Sequence, residues 1–288
     1  RAQNGATLTT TAPLKTTLYL SMVWHQHQPS YLDPTKDELQ GPWVRKHAQK
    51  DYYDMTAMLA PFPKVHVNVN LTSSLLTQLE RYTEALAPYV DLEAGTVDEA
   101  AFLAAHEGHT DPWVDLLLHD TPAPAALTEL EQARYYSGTW SMKSIAEPLR
   151  SFFPEYEALL ARDPATYTQV DLALLKVWFE IAWMDPDFFT GVDIRLGDVT
   201  TRVDLGDVVV KDGDHYRLAD AYTTGSDAER LAKLEALANR LVADEYKIMA
   251  GVFAIHRDLG WDGVNGRVEV LTTPFFHPIL PLLYDTDL

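Results

Sequence analysis

Three short hydrophobic stretches of the chain have the composition and spacing of buried β-strands. Residues 64–71 alternate valine or leucine with histidine and asparagine, and this period of two is typical of a strand. Residues 17–24 form an apolar run with β-branched and aromatic side chains, and residues 267–273 form a third run near the C-terminus. These patterns predict three core strands.

The helices predicted around the second strand indicate the fold class. Thr72 or Ser73 can cap a helix over residues 74–86, and residues 43–59 have helical spacing before the strand. The order strand, helix, strand, helix is typical of a parallel sheet whose helices pack outside it. We therefore predict an α/β fold.

The centre of the chain has a different pattern from its two ends. Helical spacing dominates residues 96–190, a segment too long for an ordinary connection, and it predicts a helical insertion. Short alternating runs over residues 191–222, with a turn at Asp212-Gly213, predict a small β-ribbon that stands off the core.

Residues 226–259 carry leucines and aromatic residues at helical spacing. They predict one long helix, with a break at Gly251 as the alternative. The predicted organisation is a tether at 1–16, a folded region at 17–288 that contains the insertions 96–190 and 191–222, and a return to the core at 226–288.

Composition narrows the class of partner. The 288 residues include 42 acidic and 23 basic side chains, for a formal net charge of -19. Such a surface repels phosphate backbones, so nucleic acid is excluded as a partner, and a neutral sugar polymer suits it better. With no cysteine, the chain has no disulfide, thiolate nucleophile or cysteine-based zinc site.

The sequence also bears on location. No run of eighteen apolar residues occurs, so we predict no membrane span. The chain begins with Arg1 and a threonine-rich stretch, which is typical of a start left after an export signal is removed. We expect an extracellular or cell-surface protein, with a cytoplasmic location as the alternative.

Polar and aromatic residues follow the predicted strands. His25, His27 and Gln28 come at the end of the first strand, and His277 follows the third. In folds of alternating strands and helices, functional residues lie at the C-terminal ends of strands. The His25-x-His27 pair fits half of a zinc or iron site, a hydrogen-bonding pair for sugar hydroxyls, or a structural pair bonded to the backbone. The residues alone leave these interpretations open.

Several separate blocks of the sequence resemble glycoside hydrolase family 57, and they occur in that family's order. The blocks are WHQHQP at 24–29, PWVRKH at 42–47, KDYYDM at 50–55, VHVNVNLT at 65–72, GRVEVLTTP at 266–274 and HPILPLL at 277–283.

This resemblance implies a fold and an activity. The fold is a (β/α)7 barrel, a distorted relative of the TIM barrel, of which this chain supplies the N-terminal part. The activity is that of a retaining glycosidase on α-1,4 or α-1,6 bonds of starch, glycogen or pullulan, most similar to the amylopullulanase branch. A Glu nucleophile and an Asp acid, ~5 Å apart, perform such a reaction. Neither a metal nor a cofactor is implied.

The resemblance also implies roles for single residues. His25, His27 and His277 match positions that line the sugar-binding pocket near the cleaved bond, and Gln28 assists them. Trp43 is a candidate for stacking on a sugar ring, with core packing as the alternative.

Three further residues are candidates for supporting this pocket. Arg45 and Asp51 either brace it or face solvent. Glu269 lies in the third strand, where it either supports the pocket by hydrogen bonding or is a buried and satisfied glutamate, the interpretation we favour.

The family's catalytic carboxylates are not found in these residues. The nucleophile is expected in a Trp-x-x-Glu block, and none occurs from Arg1 to Leu288. We therefore expect the nucleophile and acid in a further C-terminal part of the same protein, which would also complete the sheet, and we expect the chain alone to be inactive and not to fold independently. The alternatives are a non-catalytic α-glucan-binding relative and a metal-dependent hydrolase that uses the histidine pair.

Overall fold

The computed structural model describes residues 19–271, 273–278 and 284. The strands within these residues are β1 Val23–Gln26, β2 Leu32–Asp33, β3 Glu38–Leu39, β4 Val67–Leu71, β5 Val90–Asp91, β6 Thr96–Val97, β7 Val192–Leu196, β8 Val199–Val203, β9 Val209–Asp212, β10 His215–Leu218 and β11 Val268–Leu271. The α-helices are α1 Trp43–His47, α2 Asp54–Ala57, α3 Ser73–Leu86, α4 Glu99–His106, α5 Pro112–Leu118, α6 Glu129–Gln132, α7 Pro154–Ala161, α8 Gln169–Ile181, α9 Asp220–Thr223 and α10 Asp227–Asp258.

Three strands form a parallel sheet in the order β1-β4-β11. Val23 pairs with Asn68 and Val268 pairs with Val67, so the three strands run side by side in one direction. The prediction of three parallel core strands with helices between them is confirmed. The described residues contain no closed barrel, and both β1 and β11 are edge strands.

Each core strand is shorter than its predicted run. The first begins at Val23 rather than at residue 17, because Tyr19 and Leu20 are exposed and pair with no neighbouring strand. Residues 17, 18 and 272 of the predicted strands, and the tether 1–16, lie outside the described residues.

The two faces of the sheet differ in chemistry. The apolar face of Trp24, Val67, Val69 and Val268 packs on Leu59 and Leu259. The opposite face carries His25, Asn70, Asn68 and Glu269, because successive residues of a strand point to opposite sides.

The helix predicted over residues 43–59 is interrupted. α1 is followed by a π-helical turn over Ala48–Tyr52, in which the Tyr53 N–H donates to the Ala48 carbonyl at 3.4 Å, and α2 then completes the segment. π-Turns inside helices are frequent at functional sites. This one turns Tyr52 toward the loop after β1, where its hydroxyl donates to the His27 carbonyl at 3.1 Å.

The long helix α10 is continuous, so the alternative of a break at Gly251 is wrong. Ser226 caps it through a reciprocal pair of bonds with Glu229. A Cβ at Gly251 would lie 2.7 Å from the Cγ2 of Ile194 and 3.0 Å from the Tyr53 ring. The glycine therefore permits close packing of the helix rather than a kink.

The centre of the chain is mainly helical, as the sequence predicts for residues 96–190. The segment 191–222 forms two antiparallel hairpins, β7–β8 and β9–β10, rather than one ribbon. Ile194, Val203 and Leu218 are fully buried in the main core. The expectation that this segment stands off the core is wrong. Alternation gives each hairpin one apolar face, and that face packs against the main core. No helix in the described part of the chain is long and apolar enough to cross a membrane.

Candidate active site

Three histidines from two edge strands converge at the C-terminal end of the sheet. His25 is on β1, His27 follows it, and His277 follows β11. The ring centroids of His25 and His277 are 4.5 Å apart, those of His25 and His27 are 5.4 Å apart, and those of His27 and His277 are 5.5 Å apart. The expectation that these three residues meet in one place is confirmed. We call them the histidine cluster.

The backbone at His277 adopts an uncommon conformation. Its φ of 50° lies in the left-handed region. This conformation is energetically unfavourable for any residue that has a Cβ. The turn is closed by its N–H, which donates to the Pro274 carbonyl at 2.8 Å. This turn directs the imidazole of His277 back over β1.

The histidine cluster is open to solvent, and the pKa of His27 is lowered within it. His25 is exposed, and His27 and His277 are half-buried. Partial burial lowers the pKa of His27, and the neighbouring His25 and His277 lower it further. His27 is therefore neutral at pH 7, with one ring nitrogen that donates and one that accepts a hydrogen bond.

Gln28 is fixed by two tyrosines. Its Nε2 donates to the Tyr52 hydroxyl at 2.7 Å, and its Oε1 accepts from the Tyr31 hydroxyl at 2.7 Å. The side chain is buried. Gln28 thus holds the loop that carries His27, since Tyr52 also bonds the His27 carbonyl.

Asn70 also lies at this site, at the polar end of the central strand, although the sequence analysis assigns it no role. It pairs with His25 in register and lies on the same face of the sheet. Its side chain is buried, and its Oδ1 has no hydrogen-bond partner among the described residues. The alternation of residues 64–71 was the available signal, because it places a polar side chain at the end of a central strand.

Arg45 lies in a buried ionic cluster rather than on a solvated surface, so the solvent-facing alternative is wrong. Its Nε binds Asp111 at 2.6 Å, and its Nη1 binds Glu180 at 2.8 Å and Glu245 at 2.7 Å. Lys46 also pairs with Glu180. All five side chains are at most 1% exposed. We call these five residues the charged cluster.

The two glutamates of the charged cluster both pair with Arg45 and Lys46, and their pKa values shift in opposite directions. Burial acts to raise the pKa of Glu180, but Arg45 and Lys46 lower it to about 2. Burial raises the pKa of Glu245 well above its usual range. Complete burial keeps this carboxyl pair out of reach of a polysaccharide, so it is not the catalytic pair of a glycosidase.

Asp51 and Trp43 are connected through His47 and Trp183. The carboxylate of Asp51 accepts from His47 Nδ1 at 2.7 Å, and both side chains are about one-third exposed. The His47 ring contacts Tyr52 at 5.9 Å and Trp183 at 5.4 Å between centroids. Trp43 is half-buried and packs edge-on against Trp183.

Glu269 is exposed, so the favoured interpretation of a buried, satisfied glutamate is wrong. Glu269 pairs in register with Asn68, which is two residues before Asn70, the partner of His25 in β4. It lines a cavity of about 400 Å³ with His66, Trp261 and Arg267. The side chain points to the polar face of the sheet, which explains its exposure.

The metal interpretation can be tested by the spacing of possible ligand atoms. Within the residues that the structure describes, three such atoms come within 4.8 Å of one another only at Asp54, Asp185 and Asp187. The ligand atoms of one zinc ion lie about 2 Å from the metal, so they come within this spacing of one another. The imidazole nitrogens of the histidine cluster do not.

Sequence comparison agrees with this geometry. A family model described as glycosyl hydrolase family 57 matches residues 21–288, which is nearly the whole chain. No curated protein and no solved structure gives a significant match. The matched region includes the three parallel strands and all three histidines of the cluster. The chain belongs to glycosyl hydrolase family 57.

Proposed function

We propose that this glycosidase chain binds α-1,4- or α-1,6-linked glucans, such as starch, glycogen or pullulan, at the histidine cluster. The observation that carries the proposal is the convergence of His25, His27 and His277 within 5.5 Å at the C-terminal end of a parallel sheet. This is the end at which (β/α) enzymes carry their active sites.

The chemistry of the cluster suits a neutral, hydroxyl-rich ligand. Neutral imidazoles donate and accept hydrogen bonds, as sugar hydroxyls do. The unpartnered Oδ1 of Asn70 adds an acceptor on the same rung as His25. Since Gln28 is bonded to two tyrosines, we assign it the positioning of His27 rather than contact with sugar.

In this proposal, hydrolysis with retention needs a nucleophilic carboxylate and an acid, ~5 Å apart, on either side of the bond. The described carboxylates offer no such exposed pair at the histidine cluster. Glu180 and Glu245 are buried, and Glu269 faces a cavity of its own. We therefore place the nucleophile and the acid outside the described residues, on strands that would complete a (β/α)7 barrel beside β11.

A second function is favoured by the same observation. A chain with the histidine cluster and without the carboxylate pair binds α-glucan without cleaving it. Both functions predict binding, and they differ in whether reducing sugar is released.

The test is calorimetric titration with maltoheptaose of the 288-residue chain, after circular dichroism has shown that it is folded. If it does not fold alone, the longer protein that contains it is titrated instead. We expect saturable binding, and Kd about tenfold weaker for His25→Ala or His277→Ala, because each loses a hydrogen bond to the sugar. His119→Ala, at an exposed histidine remote from the sheet, is the matched control and retains the wild-type Kd.

Incubation with soluble starch separates hydrolysis from binding. We expect no reducing sugar from this chain alone. Release of reducing sugar that survives the histidine substitutions would contradict the assigned site, and absence of any maltoheptaose binding would contradict the proposed substrate class.

A further inference from the structure

Two tryptophans form a partly exposed corner at the start of α1. The ring centroids of Trp43 and Trp140 are 6.4 Å apart, and their planes meet at 82°. Trp140 belongs to the central insertion, between α6 and α7, and 48% of it is exposed. We call this pair the tryptophan corner.

The corner is supported from behind. Trp183, which is 5% exposed and follows α8, packs against Trp43 at 6.0 Å between centroids. A Cβ at Gly41 would lie 2.9 Å from the Trp43 indole, so the glycine lets this ring lie against the backbone. The position of Trp43 is thus fixed from two sides, while Trp140 keeps an open face.

The corner places the exposed indole of Trp140 beside a second tryptophan, whereas a lone exposed tryptophan offers one ring only. A flat aromatic face fits the C–H-rich face of a sugar ring, and a neighbouring edge limits how the ring can lie. His47 contacts Trp183 and pairs with Asp51, and both polar side chains are about one-third exposed, so they offer groups for sugar hydroxyls. These features suit a sugar better than a purely apolar ligand.

The tryptophan corner is linked to the histidine cluster by a continuous series of contacts. Tyr52 bonds the His27 carbonyl, and its ring lies 5.9 Å from that of His47. His47 contacts Trp183, and Trp183 contacts Trp43. Because several rings separate the two places, one sugar unit cannot occupy both.

We propose that the tryptophan corner is a second sugar-binding site, in which Trp140 of the insertion stacks on a glucose unit of the α-glucan held at the histidine cluster. This inference rests on the function proposed above. It gives the insertion a role in selecting long oligosaccharides over short ones.

The test compares Kd values of the 288-residue chain for maltoheptaose and maltose. We expect Trp140→Ala to bind maltoheptaose about five- to tenfold more weakly, since one stacking contact is lost, and to bind maltose as the wild type does. Trp140→Phe keeps an aromatic face and retains affinity within about twofold of the wild type.

Trp261→Ala is the matched control. Trp261 is 50% exposed, but it lies next to His66, which precedes β4, at the opposite end of the sheet. Its removal leaves maltoheptaose binding unchanged if the corner is the site.

Two results would overturn the inference, and they differ in what else they affect. If Trp140→Ala binds maltoheptaose like the wild type while His277→Ala binds it weakly, the corner is not a sugar site and the proposed function stands. If the wild-type chain binds no maltoheptaose, both proposals fall.

Discussion

The histidine cluster and the charged cluster are both built from ionisable groups, yet they differ in almost every physical respect. The histidines are exposed or half-buried, and partial burial lowers the pKa of His27. The charged cluster is sealed, with Arg45 and Glu180 both fully buried. Its two glutamates are shifted in opposite directions: the pKa of Glu180 is lowered to about 2 by Arg45 and Lys46, and burial raises the pKa of Glu245 well above its usual range.

If the histidine cluster binds the ligand as proposed, strong pKa perturbation does not mark the ligand site in this chain. Perturbed groups cluster at active sites, but structural ion networks perturb pKa values as well. Accessibility separates the two cases here, because the histidines are open to solvent whereas Glu180 and Glu245 are buried. The charged cluster joins α1, α5, α8 and α10, so we assign it to the stability of the fold.

The largest change in the free energy of unfolding should follow from removing the charge of Arg45. Arg45→Met leaves three buried carboxyl groups with Lys46 alone, and we expect a loss of about 3–5 kcal/mol in the free energy of unfolding. Urea denaturation followed by circular dichroism measures it. Arg150→Met, which breaks the partly exposed pair with Glu157, should cost about 0–1 kcal/mol. Equal costs for the two variants would contradict the assignment.

A smaller effect tests which glutamate carries a proton. Because Glu245 has a raised pKa and Glu180 a lowered one, Glu245→Gln replaces a neutral group by a neutral one, whereas Glu180→Gln removes a paired charge. We expect Glu180→Gln to be the more destabilising at pH 7 by about 2 kcal/mol. The reverse order in urea denaturation would place the proton on Glu180.

The smallest effect concerns pH at the histidine cluster. Burial lowers the pKa of His27 below the ordinary value for histidine. The His27 imidazole therefore stays neutral at a pH where an ordinary histidine is already protonated, and it gains a proton only at lower pH. We expect maltoheptaose affinity to hold near pH 7 and to fall severalfold by about pH 5, as charge builds up beside His25 and His277. In His27→Gln this fall should be reduced. A fall of the same size in that variant would assign it to another group.

The parallel sheet and the meeting of the histidines were predictable from the sequence. The C-terminal ends of parallel strands lie at one edge of a sheet, so residues that follow two such strands come together. His25 and His277 fulfil this rule although 252 positions separate their numbers.

The charged cluster was not predictable in the same way. Arg45 is 66 positions from Asp111, 135 from Glu180 and 200 from Glu245, and no local pattern links them. The alternative of a break at Gly251 was wrong for a related reason. A glycine in a helical pattern suggests a break, and only the packing of Tyr53 and Ile194 shows why none occurs.

Glu269 shows a limit of burial arguments based on alternation. Strand β11 is regular, and the sequence indicates a core strand, which favours burial. Burial also depends on what covers each face. The apolar face of the sheet is covered by Leu59 and Leu259, while the face of Glu269 opens into a cavity.

The central claim, that sugar binds at the histidine cluster, is tested most directly by the imidazole resonances of the ten histidines during titration with maltoheptaose. In a ¹H–¹⁵N spectrum of the side chains, assigned by single substitutions, we predict the largest shifts at His25, His27 and His277. The buried His256, bonded to Thr56 and Val252, and the surface residue His119 should not move. Saturable binding that leaves the three cluster resonances unchanged would contradict the account.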